Sequence, residues 1–273
     1  PYTTIANAYW SPYYTRMRYP LPDLPMTKVL PLPIAEMLFR LGRRFVFGQH
    51  CEPLNSVRLE HGLASLGSDL CRVYTDADYT LYADLPDIFP IKNLPSNHHY
   101  VGPILWSPPV AKPEWWDNLP VDKPIIYLTL GSSGQSLLLP KLLQALSELP
   151  ITVIAATTGT CGKLIPPVNA YVADYLPGIE AAARSELVIC NGGSLTTQQA
   201  LAAGVPVLGI ASNMDQFMNM DALVKAGVGM VLRVDRLSVG KIRTAVTKMI
   251  SCRDFAVAAK KLADNEICDD APQ

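Results

Sequence analysis

The chain has 273 residues, 49% of them hydrophobic, with 23 Lys and Arg against 24 Asp and Glu. That is enough length and apolar content for two modest domains with real cores, and it excludes a disordered chain. The balanced charge argues against a nucleic-acid binder, which carries a basic surplus, and no apolar run reaches the roughly 18 residues of a membrane span. Six cysteines, at positions 51, 71, 161, 190, 252 and 268, show no Cys-x-x-Cys spacing and read as reduced thiols rather than a disulfide frame or zinc site. With no visible signal peptide, a cytoplasmic protein is expected.

In chain order, "TTIANA" (3–8) predicts a strand, and 11–33 is a loop studded with Pro and Tyr. Helical spacing follows over "IAEMLFRLGRRFVF" (34–47), and a second helix is expected over 53–66. "TLYAD" (80–84) predicts another short strand, and 96–105 runs into a proline-rich linker, 106–124. After Pro124 the pattern becomes regular. Strands are expected at 125–130, 152–157, 170–176, 187–190, 206–210 and 229–234. Helices are expected at 137–149, 178–185, 196–203, 215–226, 239–250 and 254–263. Pro140 is tolerable because it falls in a first turn, and Gly204 and Gly227 stop two of these helices. Buried strands alternating with helices predict βαβ units, hence a doubly wound parallel sheet with ligands beyond the carboxyl ends of its strands. The division expected is 1–105 as a partial amino-terminal α/β domain, 106–124 as linker, 125–252 as a ligand-binding domain, and 253–273 as a terminal helix and tail.

Two strands end in glycine-and-hydroxyl turns that open helices: Gly131-Ser132-Ser133-Gly134 and Asn191-Gly192-Gly193-Ser194. Glycine lets the backbone approach a ligand, and a helix amino end offers free N–H groups and partial positive charge, which suits phosphate. Ser132, Ser194, Thr196 and Thr197 can donate to phosphate oxygens or cap the helix. Each turn alone is equally an ordinary βα connection, and neither matches Gly-x-Gly-x-x-Gly or a Walker loop. Tyr175 in "DYLPG" (174–178) can stack on a base or sit half-buried in a core. Asp215-Gln216 can hold sugar hydroxyls or cap the helix they open.

Taken in order, "EWWDNLPVDKPIIYLTLGSS" (114–133) and "YVADYLPGIEAAARSELVICNGGSLTTQQALAAGVPVLGIASNMDQFMNM" (171–220) resemble the donor-binding domain of the GT-B fold glycosyltransferases. The branch is that of the UDP-glycosyltransferases and macrolide glycosyltransferases. The resemblance covers about 102–251 and is looser over 1–101. It implies an inverting transfer of a hexosyl group from a UDP- or dTDP-sugar to a hydroxyl on an apolar small-molecule or lipid acceptor, with no metal. It places Tyr175, Leu176, Gly178 and Gln199 on the base and ribose. Ser132, Asn191, Gly192, Gly193, Ser194, Thr196 and Thr197 would surround the diphosphate, and Asp215 and Gln216 the sugar.

The chain departs from the family pattern at two of these positions. Asn191 stands where the family has a histidine on the diphosphate, and Gln199 where it has a glutamate on the ribose. Asparagine donates a hydrogen bond but carries no positive charge. The family's acceptor-activating base is a histidine near the start of the first domain, and the resemblance implies that this chain begins after that point. None of His50, His61, His98 and His99 follows a glycine-rich first strand, so no base is assigned; a surface role is expected for His98 and His99. Three alternatives stay open. One is a donor-binding module or decayed homologue that needs a separate acceptor domain. Another is a transferase acting on a lipid-linked acceptor at the inner membrane face. The third is a UDP-sugar 2-epimerase of the same fold, against which Asp215-Gln216 argues. Segment 34–47, with Arg40, Arg43 and Arg44 among Leu and Phe, reads either as a core-packed helix with solvated arginines or as a peripheral membrane contact.

Overall fold

The computed structural model describes residues 2–15, 18–120, 122–131, 135–159 and 164–266; the chain divides into two compact units, 1–104 and 105–273.

In unit 1, three parallel strands, β1 (Thr3–Ala6), β2 (Tyr79–Tyr82) and β3 (His98–Tyr100), lie in the order β1-β2-β3, with Thr4 opposite Thr80 and Leu81 opposite His99. Helices α1 (Pro25–Val29), α2 (Leu32–Glu60) and α3 (Leu70–Thr75) accompany them. The core is aromatic: Tyr9, Tyr82 and Phe89 are buried, and Trp10 stacks on Tyr74 with ring centroids 5.0 Å apart. α1, α3 and β3 are short elements that the sequence pattern did not mark out.

Two expectations are corrected here. The second helix expected over 53–66 is not separate, because α2 runs unbroken for 29 residues through Pro53. Pro53 removes one backbone N–H, a local cost. Tertiary contacts outweigh it: Phe47 and Cys51 continue the buried row begun by Ala35 and Phe39. Farther along, Asn55 accepts from the Leu66 amide at 2.8 Å, and the Arg58 guanidinium donates to the Ala64 carbonyl, also at 2.8 Å. The surface role expected for His98 also fails. His98 is buried on β3, its Nδ1 2.6 Å from the Tyr82 hydroxyl, which donates in turn to Ser11 Oγ at 2.9 Å. A three-residue strand between a turn and a linker leaves almost no alternation to read, so the inward face of β3 is invisible in sequence.

In unit 2, six parallel strands form one sheet: β4 (Ile125–Thr129), β5 (Thr152–Ala156), β6 (Ala170–Ala173), β7 (Leu187–Cys190), β8 (Val207–Ala211) and β9 (Gly229–Arg233). Their order is β6-β5-β4-β7-β8-β9, so the chain winds outward from β4 in one direction, returns, and winds the other way from β7. The helices are α4 (Leu139–Leu146), α5 (Gly178–Ala183), α6 (Ser194–Ala202), α7 (Met214–Lys225), α8 (Val239–Ser251) and α9 (Arg253–Glu266). Alternate strand residues (Ile126, Leu128, Val153, Leu187, Ile189, Leu208 and Ile210) pack with α4 and α8 residues in one core. On the other face, Met220 of α7 lies so close to Gly209 of β8 that an added Cβ would stand 2.6 Å from its Cγ. Both faces are thus covered, which is why the strands read as continuous apolar runs. Residues 106–120 pack on this unit: Trp116 is buried, and the Arg184 guanidinium sits 5.2 Å from its ring centroid.

Burial, and to a lesser degree the nearby His99, lower the His98 pKa below its ordinary 6.5. The folded state therefore favours the neutral ring. Stability is undiminished above about pH 6.5 and declines as the pH falls from there toward the lowered folded-state value. An NMR titration of the His98 ring is expected to give a midpoint below 6.5. The fall in Tm between pH 7.5 and 5.5 is expected to shrink in His98→Gln.

Candidate functional site

A parallel sheet sends every strand's carboxyl end to the same edge, and strand order decides which connections become neighbours there. The winding reverses between β4 and β7, so Gly131, which opens the first glycine turn, and the Asn191–Ser194 turn lie at the reversal. The structure brings them together: a Cβ on Gly131, which has φ +62°, would lie 3.6 Å from Asn191 Nδ2.

The second turn is tightly fixed. Asn191 Oδ1 accepts from the Gly193 amide at 3.0 Å, folding the chain back before α6. Gly192 holds φ +85°, and a Cβ there would meet Met220 Cγ at 2.7 Å. Asn219, buried on α7, donates to the Gly192 carbonyl at 2.8 Å and to Thr197 Oγ1 at 2.9 Å. Nothing in the sequence marked Asn219; its spacing, five residues beyond the start of α7, becomes meaningful only once α7 lies against the turn. Thr197 is buried and its hydroxyl points inward, within hydrogen-bond reach of the Gly193 and Ser194 carbonyls, so it braces the turn. Ser194 and Thr196 remain partly exposed at the amino end of α6, whose N-cap is Gly193 and which no side chain caps. Ser132 lies outside the described residues. Beneath the turn, burial pushes the Cys190 thiol up to about 12, and the Gly192 amide donates to its sulfur at 3.3 Å. Cys190 is a neutral packing group and no nucleophile.

At the end of β6, the Tyr175 ring is 51% exposed, with its hydroxyl 3.3 Å from the Thr158 carbonyl, while Leu176 is buried. Gly178 opens α5 and donates its amide to Ser107 Oγ at 2.7 Å. A Cβ at Gly178 would stand 2.8 Å from Gln199 Oε1, so the glycine admits this side chain of α6. Gln199 is buried and gives Nε2 to the Trp106 carbonyl at 2.5 Å. Trp106 itself is 58% exposed, a second open aromatic in this part of unit 2 that sequence reasoning passed over as linker.

At the end of β8, Asn213 and Gln216 form a reciprocal capping box on α7. Gln216 Oε1 accepts from the Ser212 and Asn213 amides at 2.9 and 3.4 Å, while its buried Nε2 has no partner among the described residues. The amide is therefore half structural, with one donor left over. Asp215 is half-exposed beside it in the first turn.

Residues 138–273 match the family described as Erythromycin biosynthesis protein CIII-like, C-terminal domain. A "PGL/p-HBAD biosynthesis glycosyltransferase" of Mycobacterium tuberculosis (strain ATCC 25177 / H37Ra) is 57% identical over 97% of the chain and 61% of its own length. The matched segment belongs to that family of C-terminal domains, and the chain as a whole is homologous to this glycosyltransferase. A second relative, a "PGL/p-HBAD biosynthesis rhamnosyltransferase" of Mycobacterium bovis (strain BCG / Pasteur 1173P2), is 55% identical over 97% of the chain and 59% of its own length. An "Inactive PGL/p-HBAD biosynthesis glycosyltransferase" of the same strain is 57% identical over 54% of the chain and 40% of its own length. The chain thus spans about 60% of the first two relatives. Among solved structures, spinosyn rhamnosyltransferase SpnG complexed with thymidine diphosphate shares the fold. Its TM-score is 0.61 at 22% identity, covering 78% of this chain and 57% of that one. The doubly wound sheet of unit 2 is therefore the expected one.

Two substitutions probe the rigidity of the glycine turn. Asn219→Ala strands a buried carbonyl and is expected to lower stability by about 2 kcal/mol. Gly192→Ala combines a left-handed backbone with a clash and is expected to cost about 2 kcal/mol or more. Urea unfolding followed by circular dichroism checks both.

Proposed function

We propose that the chain holds a nucleoside diphosphate sugar, UDP- or dTDP-linked, along the carboxyl edge of unit 2. Its hexosyl group is then transferred, with inversion, to a hydroxyl on an apolar small-molecule or lipid acceptor. The observation that carries this reading is the meeting of the Gly131 and Asn191–Ser194 turns at the reversal of the sheet. Neighbouring strands lie about 4.8 Å apart, so β6 to β8 spans four intervals, about 19 Å. That length suits a base, a diphosphate and a sugar laid end to end.

On this reading the base stacks on Tyr175, and the backbone around Leu176 and Gly178 borders it. Gln199 has committed its Nε2 to Trp106, so its Oε1 is the atom offered to a ribose hydroxyl. The diphosphate rests on the amino end of α6, against Asn191, Gly192, Gly193, Ser194 and Thr196, with Thr197 holding the turn from below. Asp215 accepts from sugar hydroxyls and Gln216 Nε2 donates to one. As the glycosidic bond breaks, charge grows on the leaving diphosphate, and the helix amino end and preorganised N–H groups stabilise it. The acceptor hydroxyl must lose its proton to a general base, and no residue of this chain is assigned that task.

Calorimetric titration with UDP, dTDP and GDP tests the reading. UDP or dTDP is expected to bind selectively, and Thr196→Ala to weaken that binding about tenfold. Asp215→Ala is expected to leave nucleotide affinity unchanged and to weaken the matching nucleotide sugar. A folded chain that binds no nucleotide would overturn it. A second reading is a donor-binding chain without transfer of its own. It is motivated by Asn191 and Gln199, which lack the charges of the family's histidine and glutamate, and by the inactive relative. Nucleotide binding with no release of sugar from the bound donor, in the presence of acceptor, would select it.

A further inference from the structure

Unit 2 begins at Leu105, and its first residues form an extended strap rather than a helix or strand. Farther along, side chains anchor this strap. Lys112 pairs with Glu180 of α5 at 2.5 Å, Trp116 is buried beside Arg184, and the Trp115 and Tyr171 ring centroids lie 5.6 Å apart. Its entry is held differently. The Gly178 amide donates to Ser107 Oγ at 2.7 Å, and Gln199 Nε2 donates to the Trp106 carbonyl at 2.5 Å. Both donors belong to residues that the donor reading places on the base and ribose.

Gln199 is only 5% exposed. A backbone carbonyl accepts and never donates, so the amide turns its nitrogen toward Trp106 and its oxygen away. That oxygen has no partner among the described residues, yet it is not sealed from solvent. It fits because residue 178 carries no side chain: a Cβ there would stand 2.8 Å from Oε1. A buried amide with its nitrogen engaged and its oxygen open is poised to take a donor. A hydroxyl on Oε1 draws electron density away from the nitrogen and makes its N–H the stronger donor, so the two bonds reinforce each other.

We propose that Gln199 is a positioning residue that couples the donor's ribose to the strap. A ribose hydroxyl donating to Oε1 tightens the hold of Nε2 on the Trp106 carbonyl and orders residues 106–107 against α5 and α6. The proposal rests on the donor reading above. The coupling is reciprocal, because a strap already held leaves the nucleotide less to order. An amide is needed for this: a carboxylate offers oxygens to the ribose but no proton to a carbonyl. Trp106 reports on the strap, being 58% exposed, whereas Trp10 and Trp116 are buried and Trp115 is partly buried.

Acrylamide quenching of tryptophan emission tests the coupling, with Trp106→Phe identifying the share of Trp106. UDP and dTDP are compared with analogues whose ribose carries no hydroxyl. The nucleotide that binds is expected to reduce quenching of Trp106 about twofold. Its analogue is expected to bind about fivefold more weakly and to leave the quenching unchanged. The analogue carries the same base, so shielding of Trp106 by the base alone would protect equally in both cases. Gln199→Glu keeps an acceptor and loses the clasp. It is expected to raise quenching in the free chain about twofold and to abolish protection on binding. Circular dichroism shows whether this variant folds, and the analogue comparison uses the unaltered chain. Nucleotide binding without protection, equal protection by the analogue, or quenching unaltered in a folded Gln199→Glu chain overturns the coupling and leaves the donor reading standing. A folded chain that binds none of the nucleotides overturns both.

Discussion

The constraint on which the rest depends is the parallel hydrogen-bond ladder of unit 2. Because β4 through β9 all run the same way, the ends of six strands are delivered to one edge, and the order β6-β5-β4-β7-β8-β9 fixes the sequence of loops along it. Tyr175, Thr158, Gly131, Asn191 and Asp215 follow one another in that order, although they are scattered over more than eighty positions of the chain. No single contact builds the site. It follows from register, with the buried faces of the sheet holding that register against slippage.

Around that edge, much of the polar chemistry serves the protein itself. Asn219 and Thr197 tie α7 and α6 to the glycine turn, and Gln216 spends its carbonyl on a capping box. Gln199 spends its amide on the Trp106 backbone. What remains open is a limited set: the Tyr175 ring, the amino end of α6 and the Gln216 Nε2 group, with the half-exposed Asp215 beside it. Residues that hold a turn and residues that meet a ligand therefore sit within one short stretch of chain, separated only by the direction in which each side chain points.

The fold of unit 2 was legible because buried parallel strands are apolar runs with glycine or proline at their ends, and every one from Ile125 to Arg233 has that form. Its site was legible as a set of positions, since glycine turns and helix starts announce themselves. The division of labour was not, because spacing does not tell Thr196, at the surface, from its buried neighbour Thr197. Asn219 was missed because its partners lie on other elements. Unit 1 was harder. Its strands have three or four residues, its helices α1 and α3 are short, and the interruption expected before Pro53 does not exist because burial of Phe47 and Cys51 carries α2 past it. His98 shows the same limit: only the sheet reveals that it faces Tyr82.

The central claim is that two glycine turns, brought together by strand order, receive a diphosphate. The most direct measurement is the change in backbone amide NMR shifts of ¹⁵N-labelled chain on adding dTDP or UDP. The account predicts the largest changes at Gly131 and over Gly192–Thr196, with smaller ones around Tyr175 from the ring current of the base. Changes confined to unit 1, or none in a folded chain, would contradict it.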